Sequence, residues 1–322
     1  MSETTDGLPY RAPAWLRGGH AQTIYPLLIK GASPAFRRER WDTPDGDFID
    51  LDWVDGPAET PLVVLFHGLE GGSASHYAGV LMRHVAARGW VGVVPHFRGC
   101  SGEPNRMPRA YHSGDYLEID WILRRLAAAH PQRRRFAAGV SLGGSALLNW
   151  LGRLSDEAVG VIDAAASVCA PLDLHAAGSA LSSGFNRLVY TQRFLLTLKP
   201  NALAKLRRHP GLVLPERIRA ARTLREFDDA VTAPLHGFRG VDDYWTRASS
   251  KPWLKRIRLP TLIINARNDP FVPAHSLPAA ARVSPQVTLE YPEQGGHVGF
   301  VSGSFPGHLD WLPRRLLRFF AA

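Results

Sequence analysis

Short apolar runs alternate with segments of helical length along most of the chain. Six runs have the length of buried strands, and they lie at 61–66, 90–95, 135–140, 162–170, 259–266 and 286–291. Helix-like segments such as 76–89 and 115–130 separate most of them. Strands that are apolar along their whole length are typical of parallel sheets, because helices cover both faces of such a sheet. The pattern therefore predicts an α/β fold with a mostly parallel sheet.

Two segments ahead of these runs predict a β-hairpin. FRRERW (36–41) and FIDLDWV (48–54) are joined by DTPDGD, in which Asp45 and Gly46 supply the turn. Together with the six apolar runs, the hairpin gives an expected sheet of eight strands with helices on both faces.

One interval is much longer than a connection between neighbouring strands needs. Residues 171–258 are basic and helix-like and are interrupted by prolines. An unstructured loop of this length is unusual inside a compact domain, so the interval predicts a helical cap over the sheet. We expect one domain over 1–322, with a core of about 36–170 and 259–322, an N-terminal segment 1–35 and a cap of about 171–258.

Composition adds little to this picture. Of the 322 residues, 45% are hydrophobic and 21% are charged, which is ordinary for a globular enzyme with a full core. The start of the chain lacks the features of a signal peptide, and no apolar run reaches the length of a transmembrane helix. Only Cys100 and Cys169 occur, too few for a disulfide framework or a structural zinc site. We therefore expect a cytoplasmic protein.

The formal net charge is +9, and basic residues are dense over 187–225, opposed only by Glu216 and by Glu226, which follows directly. A solvated face of surface helices explains such a run, and weak affinity for anionic lipid surfaces is its functional interpretation. No nucleic-acid-binding signature accompanies the charge. We expect no nucleic acid partner and no stable membrane anchor; transient contact with anionic lipids and the oligomeric state stay open.

The segment FAAGVSLGGSALLNW (136–150) sets one serine between glycines where a predicted strand meets a predicted helix. Gly139, Ser141 and Gly143 form the pattern G-x-S-x-G in the strand-turn-helix setting of a nucleophile elbow. Side chains at the two glycine positions would collide with the neighbouring strand and helix. The helix start also directs partial positive charge at developing negative charge. These features predict that Ser141 is a nucleophile.

A serine hydroxyl needs a base, and the base needs an orienting acid. In the order serine, acid, histidine, Asp269 follows the predicted strand at 259–266, and His297 lies in the glycine-flanked loop EQGGHVGFV after the last one. Both fall at the carboxyl edge of the sheet, where ligands bind in open α/β sheets. We expect Ser141, Asp269 and His297 to form a catalytic triad. The alternatives are a loop-capping aspartate and a surface histidine.

An oxyanion hole needs two backbone amides that point at the developing negative charge. We expect one from Leu142, the residue after the predicted nucleophile. The other is expected from Leu69 in the loop HGLEGG, which follows the first central strand, with Glu70 as the alternative.

Further residues near the same edge of the sheet are candidates for lining the substrate pocket. They are His67, Gly68, Glu70, Arg98, Cys100 and His20. His20 belongs to the motif GGHAQT, which also contains Gln22 and Thr23. These residues either line the pocket or hold the N-terminal segment across the domain.

Several long motifs resemble those of the YheT-like α/β-hydrolases, a group related to the mammalian abhydrolase-domain lipid hydrolases. They span nearly the whole chain and are GGHAQTIYPLL (18–28), LFHGLEGGSASHY (65–77), HFRGCSGEPNRMPRAYHSGD (96–115), GVSLGGSALLNWLG (139–152), FDDAVTAPLHGF (227–238), LIINARNDPF (262–271) and EQGGHVGFV (293–301). The resemblance implies an α/β-hydrolase fold and a carboxylic-ester hydrolase with a serine triad, matching Ser141, Asp269 and His297. Ser145 departs from the family, which often has asparagine there.

These residues predict a serine carboxylic-ester hydrolase that works through an acyl-enzyme. The resemblance and the apolar segment 188–198 of the cap indicate short- to medium-chain or lipid-like acyl esters as its small-molecule partners. The chemistry needs no metal and no organic cofactor, so none is expected. A thioesterase or an alcohol acyltransferase would use the same triad. A non-catalytic binding module on a hydrolase scaffold is the alternative from another class.

Overall fold

The computed structural model describes residues 9–29, 31 and 33–322, so the acidic start at 1–8 and two further positions of the predicted N-terminal segment lie outside the described residues. The strands are β1 (Arg37–Asp42), β2 (Phe48–Val54), β3 (Leu62–Phe66), β4 (Val91–Pro95), β5 (Arg135–Val140), β6 (Ala164–Val168), β7 (Thr261–Ile264) and β8 (Val287–Glu290).

These strands form one eight-stranded sheet in the order β1-β2-β4-β3-β5-β6-β7-β8. β2 runs antiparallel to β1 and β4, and every pair from β4 to β8 is parallel. The β1–β2 hairpin turns at Gly46, which has φ +81° and donates its amide hydrogen to Thr43 O at 3.0 Å. The predicted mostly parallel sheet is confirmed.

Helices surround the sheet and fill the interval between β6 and β7. The α-helices are α1 (Gly19–Ile24), α2 (His76–Ala87), α3 (Tyr116–Ala129), α4 (Leu142–Leu154), α5 (Leu174–Leu181), α6 (Gly184–Asn186), α7 (Gln192–Arg208), α8 (Pro215–Ala220), α9 (Leu224–Phe227), α10 (Ala233–Leu235), α11 (Val241–Ala248) and α12 (Trp311–Ala321). Two π-helical segments (Arg187–Thr191 and Asp228–Thr232) and five 3-10 segments (Tyr25–Leu27, Ser155–Ala158, Lys251–Arg256, Ala274–Ser276 and Ala280–Arg282) complete the helical structure of the described chain.

The side chains of β3 show how the core divides between the two faces of the sheet. Leu62, Val64 and Phe66 pack against one set of buried residues, which includes those of α3 and α4. Val63 and Leu65 point the other way, into a cluster with α2 and α12. Full burial of one such side chain stabilises the fold by about 1.5–3 kcal/mol. Because both faces are covered, the central strands are apolar throughout, and the sequence pattern reflects this.

Helices α5 to α11 occupy the predicted cap interval between β6 and β7. They have a buried apolar cluster of their own, which includes Leu195, Leu206, Ile218 and Phe227. The proposed boundaries at 170/171 and 258/259 stay predictions. None of the described helices has the length and apolar character needed to cross a membrane.

Candidate active site

Ser141 lies at the sharp turn between β5 and α4, with φ +52° and ψ −119°. Its amide donates a hydrogen bond to Val168 O at 2.8 Å, which ties the turn to the neighbouring strand. A Cβ atom at Gly139 would lie 2.5 Å from Gly143 O, and one at Gly143 would lie 2.4 Å from Phe66 O. Only glycine fits at these two positions, so the turn needs the G-x-S-x-G pattern for steric reasons.

The structure brings the three residues of the predicted triad together. Ser141 Oγ lies 3.0 Å from His297 Nε2, although 156 positions separate the two residues. On the other side of the ring, His297 Nδ1 lies 2.9 Å from Asp269 Oδ2 and 3.2 Å from Oδ1. The Asp269 side chain is fully buried, whereas the His297 side chain is 10% exposed. The three groups therefore form one continuous hydrogen-bonded chain that ends at the serine.

The acid and the imidazole are each held by further contacts. The amides of Phe271 and Val272 donate to Asp269 Oδ1 at 2.8 and 3.3 Å. The Phe271 ring stacks on the His297 ring, with centroids 4.1 Å apart and planes inclined by 26°. The carboxylate thus stays oriented toward Nδ1, and the imidazole plane has little freedom to tilt.

Helix α1 holds the loop that carries His297. Thr23 Oγ1 accepts a hydrogen bond from the His297 amide at 2.9 Å and donates one to Gly19 O at 2.7 Å. The fully buried Gln22 accepts from the Val301 amide at 2.9 Å. Of the two interpretations of GGHAQT, the contacts of Gln22 and Thr23 favour the one in which the motif pins the N-terminal segment. They also show that what it pins is the histidine loop.

Cys169 is a neighbour of this loop that the sequence analysis missed. It follows β6 directly, has φ +50°, and is fully buried. Its Sγ accepts from the Val298 amide at 3.3 Å and its S–H faces Gly296 O at 3.7 Å, so it contacts the residues on either side of His297. Burial raises the pKa of this thiol well above its usual value. The sequence feature that could have identified Cys169 was its position at the carboxyl edge of the predicted sheet.

In the described part of the chain, one group of three potential metal ligands lies close together. Ligand atoms of Cys169, Asp269 and His297 fall within 4.8 Å of one another. Asp269 and His297 already share the hydrogen bond given above, and a thiol must lose its proton to bind a metal ion. Because burial of Cys169 opposes that loss, the group suits support of the His297 loop better than metal binding.

The two residues whose amides are expected to form an oxyanion hole lie at the same cavity as Ser141. Leu69 and Leu142 line that cavity together with Ser141 and His297. Neither amide has a hydrogen-bond acceptor within the part of the chain that the structure describes. The alternative donor, the Glu70 amide, is engaged with the Tyr111 hydroxyl at 2.9 Å. This geometry favours Leu69 over Glu70.

The cavity next to Ser141 measures about 610 Å³, within the range of small-molecule pockets. Of the pocket candidates, Glu70, Arg98 and Cys100 line it. Much of its wall is apolar and comes from the cap, including Leu174, Ala177, Leu181, Phe194, Leu198 and Val231.

Two of these lining residues, Arg98 and Cys100, are polar, and their surroundings fix the charge state of each. The buried Arg98 guanidinium forms ion pairs with Glu118 at 2.6 Å, Asp45 at 2.7 Å and Asp47 at 3.1 Å, so its charge is already paired. Burial raises the pKa of the Cys100 thiol to about 12, which leaves it protonated and a poor nucleophile.

His67, Gly68 and His20, the other three pocket candidates, are not among the residues that line this cavity. His67 is fully buried; its Nε2 accepts from the Phe97 amide at 3.0 Å, and its Nδ1 donates to Gly68 O at 2.8 Å. Burial lowers the pKa of this imidazole to about 3, so it stays neutral and holds the loop after β3. Gly68 packs beneath the serine, where a Cβ would lie 3.2 Å from Ser141 Cβ. His20 lies on the exposed surface, bonded to the Tyr190 hydroxyl at 3.0 Å.

Comparisons with known proteins agree with this architecture. A family model described as the alpha/beta hydrolase fold matches residues 61–304. The chain is 42% identical to YheT of Escherichia coli over 306 residues, which covers 92% of this chain and 88% of that protein. It is 30% identical to human phospholipase ABHD3 over an alignment of 325 positions, which covers 97% of this chain and 78% of that protein.

A solved structure shares the fold at lower identity. The esterase Pf2001 of Pyrococcus furiosus superimposes with a TM-score of 0.57 at 18% identity, over 89% of this chain and 92% of that one. At this identity the likeness concerns the fold alone. The resemblance inferred from the sequence motifs is confirmed: the chain belongs to the α/β-hydrolase family, in its YheT-like group, and is a hydrolase of the esterase and lipase type.

Proposed function

We propose that this protein hydrolyses carboxylic esters through an acyl-enzyme on Ser141. The observation that carries the proposal is the hydrogen-bonded chain from Ser141 Oγ through His297 to Asp269, with spacings of 3.0 and 2.9 Å. A serine with a base at this distance, and a base oriented by a buried carboxylate, are the requirements of nucleophilic catalysis by a hydroxyl group.

In the proposed acylation step, His297 removes the serine proton. The Nδ1–H donates to the Asp269 carboxylate, which leaves Nε2 free to accept the proton as Ser141 Oγ attacks the ester carbonyl carbon. The amides of Leu69 and Leu142 donate to the resulting oxyanion, and loss of one such donor typically costs about 3–4 kcal/mol of barrier. The C–O bond to the alcohol then breaks, and the alcohol leaves with the proton from His297.

In the proposed deacylation step, the same groups act on water. His297 Nε2 takes a proton from a water molecule, whose oxygen attacks the acyl carbonyl carbon. The tetrahedral intermediate collapses, the carboxylic acid leaves, and Ser141 recovers its proton from His297. Asp269 keeps its negative charge throughout and stabilises the imidazolium formed in each half-reaction.

The cavity supports an acyl chain as the part of the substrate that the enzyme recognises. Its apolar wall from the cap suits a hydrocarbon chain, with the carbonyl group at Ser141. Short- to medium-chain or lipid-like acyl esters are therefore the proposed substrates.

We also propose a cytoplasmic location, because the chain has only two cysteines and both are unpaired.

The test is turnover of p-nitrophenyl esters from acetyl to palmitoyl by the wild type and by Ser141→Ala. We expect hydrolysis with an optimum in chain length, and a loss of at least about a thousandfold in kcat for the variant. Ser145→Ala is the matched control, because this serine lies on the same helix outside the triad. Circular dichroism checks that both variants keep the fold.

Other outcomes separate the remaining candidates. Faster turnover of acyl thioesters than of oxygen esters would identify a thioesterase, and preferential transfer of the acyl group to an added alcohol would identify an acyltransferase. Folded wild-type protein that turns over none of these substrates would instead be a binding module. Full activity in Ser141→Ala would refute the proposal outright.

A further inference from the structure

A cluster of large apolar side chains is exposed on the side of the molecule formed by α1 and the start of the cap. Leu28, Leu188 and Phe305 are 76%, 74% and 75% exposed. We call this cluster the docking face, and it consists of Trp15, Ile24, Leu27, Leu28, Phe185, Leu188 and Phe305. Exposed apolar groups gathered in one patch, unlike scattered ones, mark an interaction site.

Ring contacts join one part of the docking face. Trp15 lies 5.3 Å from the Tyr25 ring and 5.5 Å from the Phe305 ring, measured between centroids. Tyr25 is in the 3-10 turn that continues α1, three residues before the exposed Leu28. Residues three apart on a helical stretch are neighbours, so Leu28 extends the patch from Trp15 and Phe305.

The exposed side of α1 joins this part to the cap. His20, Ile24, Leu27 and Leu28 have the spacing i, i+4, i+7, i+8, which places them along one side of the helical stretch, and all four are exposed. His20 in turn contacts the Phe185 ring of the cap, with centroids 4.5 Å apart. The apolar members of this stripe are Ile24, Leu27 and Leu28. Apolar side chains along one side of a helix ordinarily face a protein core, whereas these face outward.

The segments that form the docking face carry charges of one sign. The segments that form it contain no acidic residue, and they are 9–29, 183–200 and 302–308. Arg17, Arg187 and Arg193 of these segments are exposed, and none of them has an ion-pair partner among the described residues. An apolar face with unpaired arginines and no carboxylate complements a surface that is apolar inside and anionic outside.

We propose that the docking face binds the surface of an anionic lipid bilayer. The apolar side chains would enter the boundary between headgroups and acyl chains, while the three arginines contact lipid phosphates. Each Lys or Arg near an anionic surface contributes about 1 kcal/mol, or roughly fivefold in partitioning. Binding is reversible, because the face is a short apolar patch and not a spanning helix.

The docking face lies next to the candidate active site. His20, whose ring contacts Phe185 of the docking face, is bonded to Tyr190. Tyr190 packs on Phe271, and Phe271 stacks on His297. Leu196 of the cap lines the cavity and is 66% exposed, so the cavity wall reaches the surface near the same part of the cap. Binding at this face would hold the cavity close to the lipid surface.

The experiment is co-sedimentation with lipid vesicles, in a Ser141→Ala background so that binding is read independently of turnover. Vesicles of phosphatidylcholine alone are compared with vesicles of phosphatidylcholine and phosphatidylglycerol in equal parts. Two double variants change the face: Leu27→Ser with Leu28→Ser, and Arg187→Glu with Arg193→Glu. The oligomeric state of each protein is measured by light scattering.

Matched controls carry the same changes on exposed residues elsewhere. The double variant Leu117→Ser with Val159→Ser controls for the loss of exposed apolar side chains, since these two are 61% and 54% exposed. Arg282→Glu with Arg318→Glu controls for net charge, because both arginines are exposed. Each variant must have the same melting temperature as the parent protein.

We expect binding to the anionic vesicles only, a loss of at least about tenfold in partitioning for both face variants, and wild-type partitioning for both controls. Absence of binding by the parent protein, or equal binding by face and control variants, would overturn the proposal. A parent dimer that the Leu27→Ser/Leu28→Ser variant converts to a monomer would also overturn it, because the face would then pair two copies of the chain.

Discussion

The Thr23 hydroxyl is the contact through which α1 holds the backbone of His297. Thr23→Val removes this hydroxyl and keeps the shape of the side chain. The change deletes the bond from the His297 amide at 2.9 Å and the bond to Gly19 O at 2.7 Å. The imidazole itself stays untouched, so any loss of activity comes from its placement.

The magnitude follows from the two bonds and their burial. A buried N–H group left without a partner costs about 1–3 kcal/mol. Thr23 is half-buried, so water satisfies part of the loss and the lower half of that range applies. If about 1.4 kcal/mol is lost from orientation of the imidazole in the transition state, kcat falls about tenfold. A comparable loss of folding stability, about 1 kcal/mol, accompanies it.

The assay is the dependence of ester hydrolysis on substrate concentration, with kcat and KM determined separately. We expect kcat to fall and KM to stay within about twofold, because Thr23 does not line the cavity. Thr23→Ser retains a hydroxyl and should recover most of the activity. Thr60→Val is the matched control, since the Thr60 hydroxyl donates to Pro57 O at 2.9 Å on the exposed surface.

Two results would refute this reasoning. One is a Thr23→Val enzyme with wild-type kcat, which would mean that the other contacts of the loop position His297 without α1. The other is an equal fall in kcat for Thr23→Val and Thr23→Ser, which would point to packing of the methyl group and not to the hydroxyl.

Three further predictions concern the cavity and its surroundings. Ala177→Phe fills the apolar wall and should lower kcat/KM for long-chain esters at least about tenfold more than for acetyl esters, whereas Ser179→Phe, exposed on the same helix, should leave the chain-length profile unchanged. Cys169→Ala removes the contacts on both sides of His297 and should lower kcat about two- to fivefold, with recovery in Cys169→Ser. Burial raises the pKa of Asp228 from 3.8 to about 6, so the folded state keeps a proton that the unfolded state has lost, and stability falls as pH rises between these values. Asp228→Asn should remove that slope in urea unfolding across this interval; an unchanged slope would show that other groups cause it.

The fold and the order of the predicted triad could be inferred from sequence because they depend on local patterns. Strands buried on both faces must be apolar throughout, and this gave the runs that became β3 to β8. The elbow glycines are required sterically, and parallel strands bring their carboxyl ends to one edge. Ser141, Asp269 and His297 therefore converge once each is placed after its strand.

Side-chain direction and long-range contacts could not be inferred in this way. His67 comes directly after β3 at the correct edge, yet its ring points into the core and bonds to Phe97. The bond between Thr23 and His297 joins residues 274 positions apart, and no local pattern encodes such a partner. Cys169 likewise contacts the histidine loop across 129 positions, to Val298.

The most direct test of the proposed mechanism is detection of the acyl group on the enzyme. Wild-type protein is mixed with a p-nitrophenyl ester, quenched in acid during the first turnovers and digested for mass spectrometry. The mechanism predicts an acyl adduct on the peptide that contains Ser141, and none in Ser141→Ala. An adduct on another residue, or rapid turnover with no adduct at any time, would contradict it.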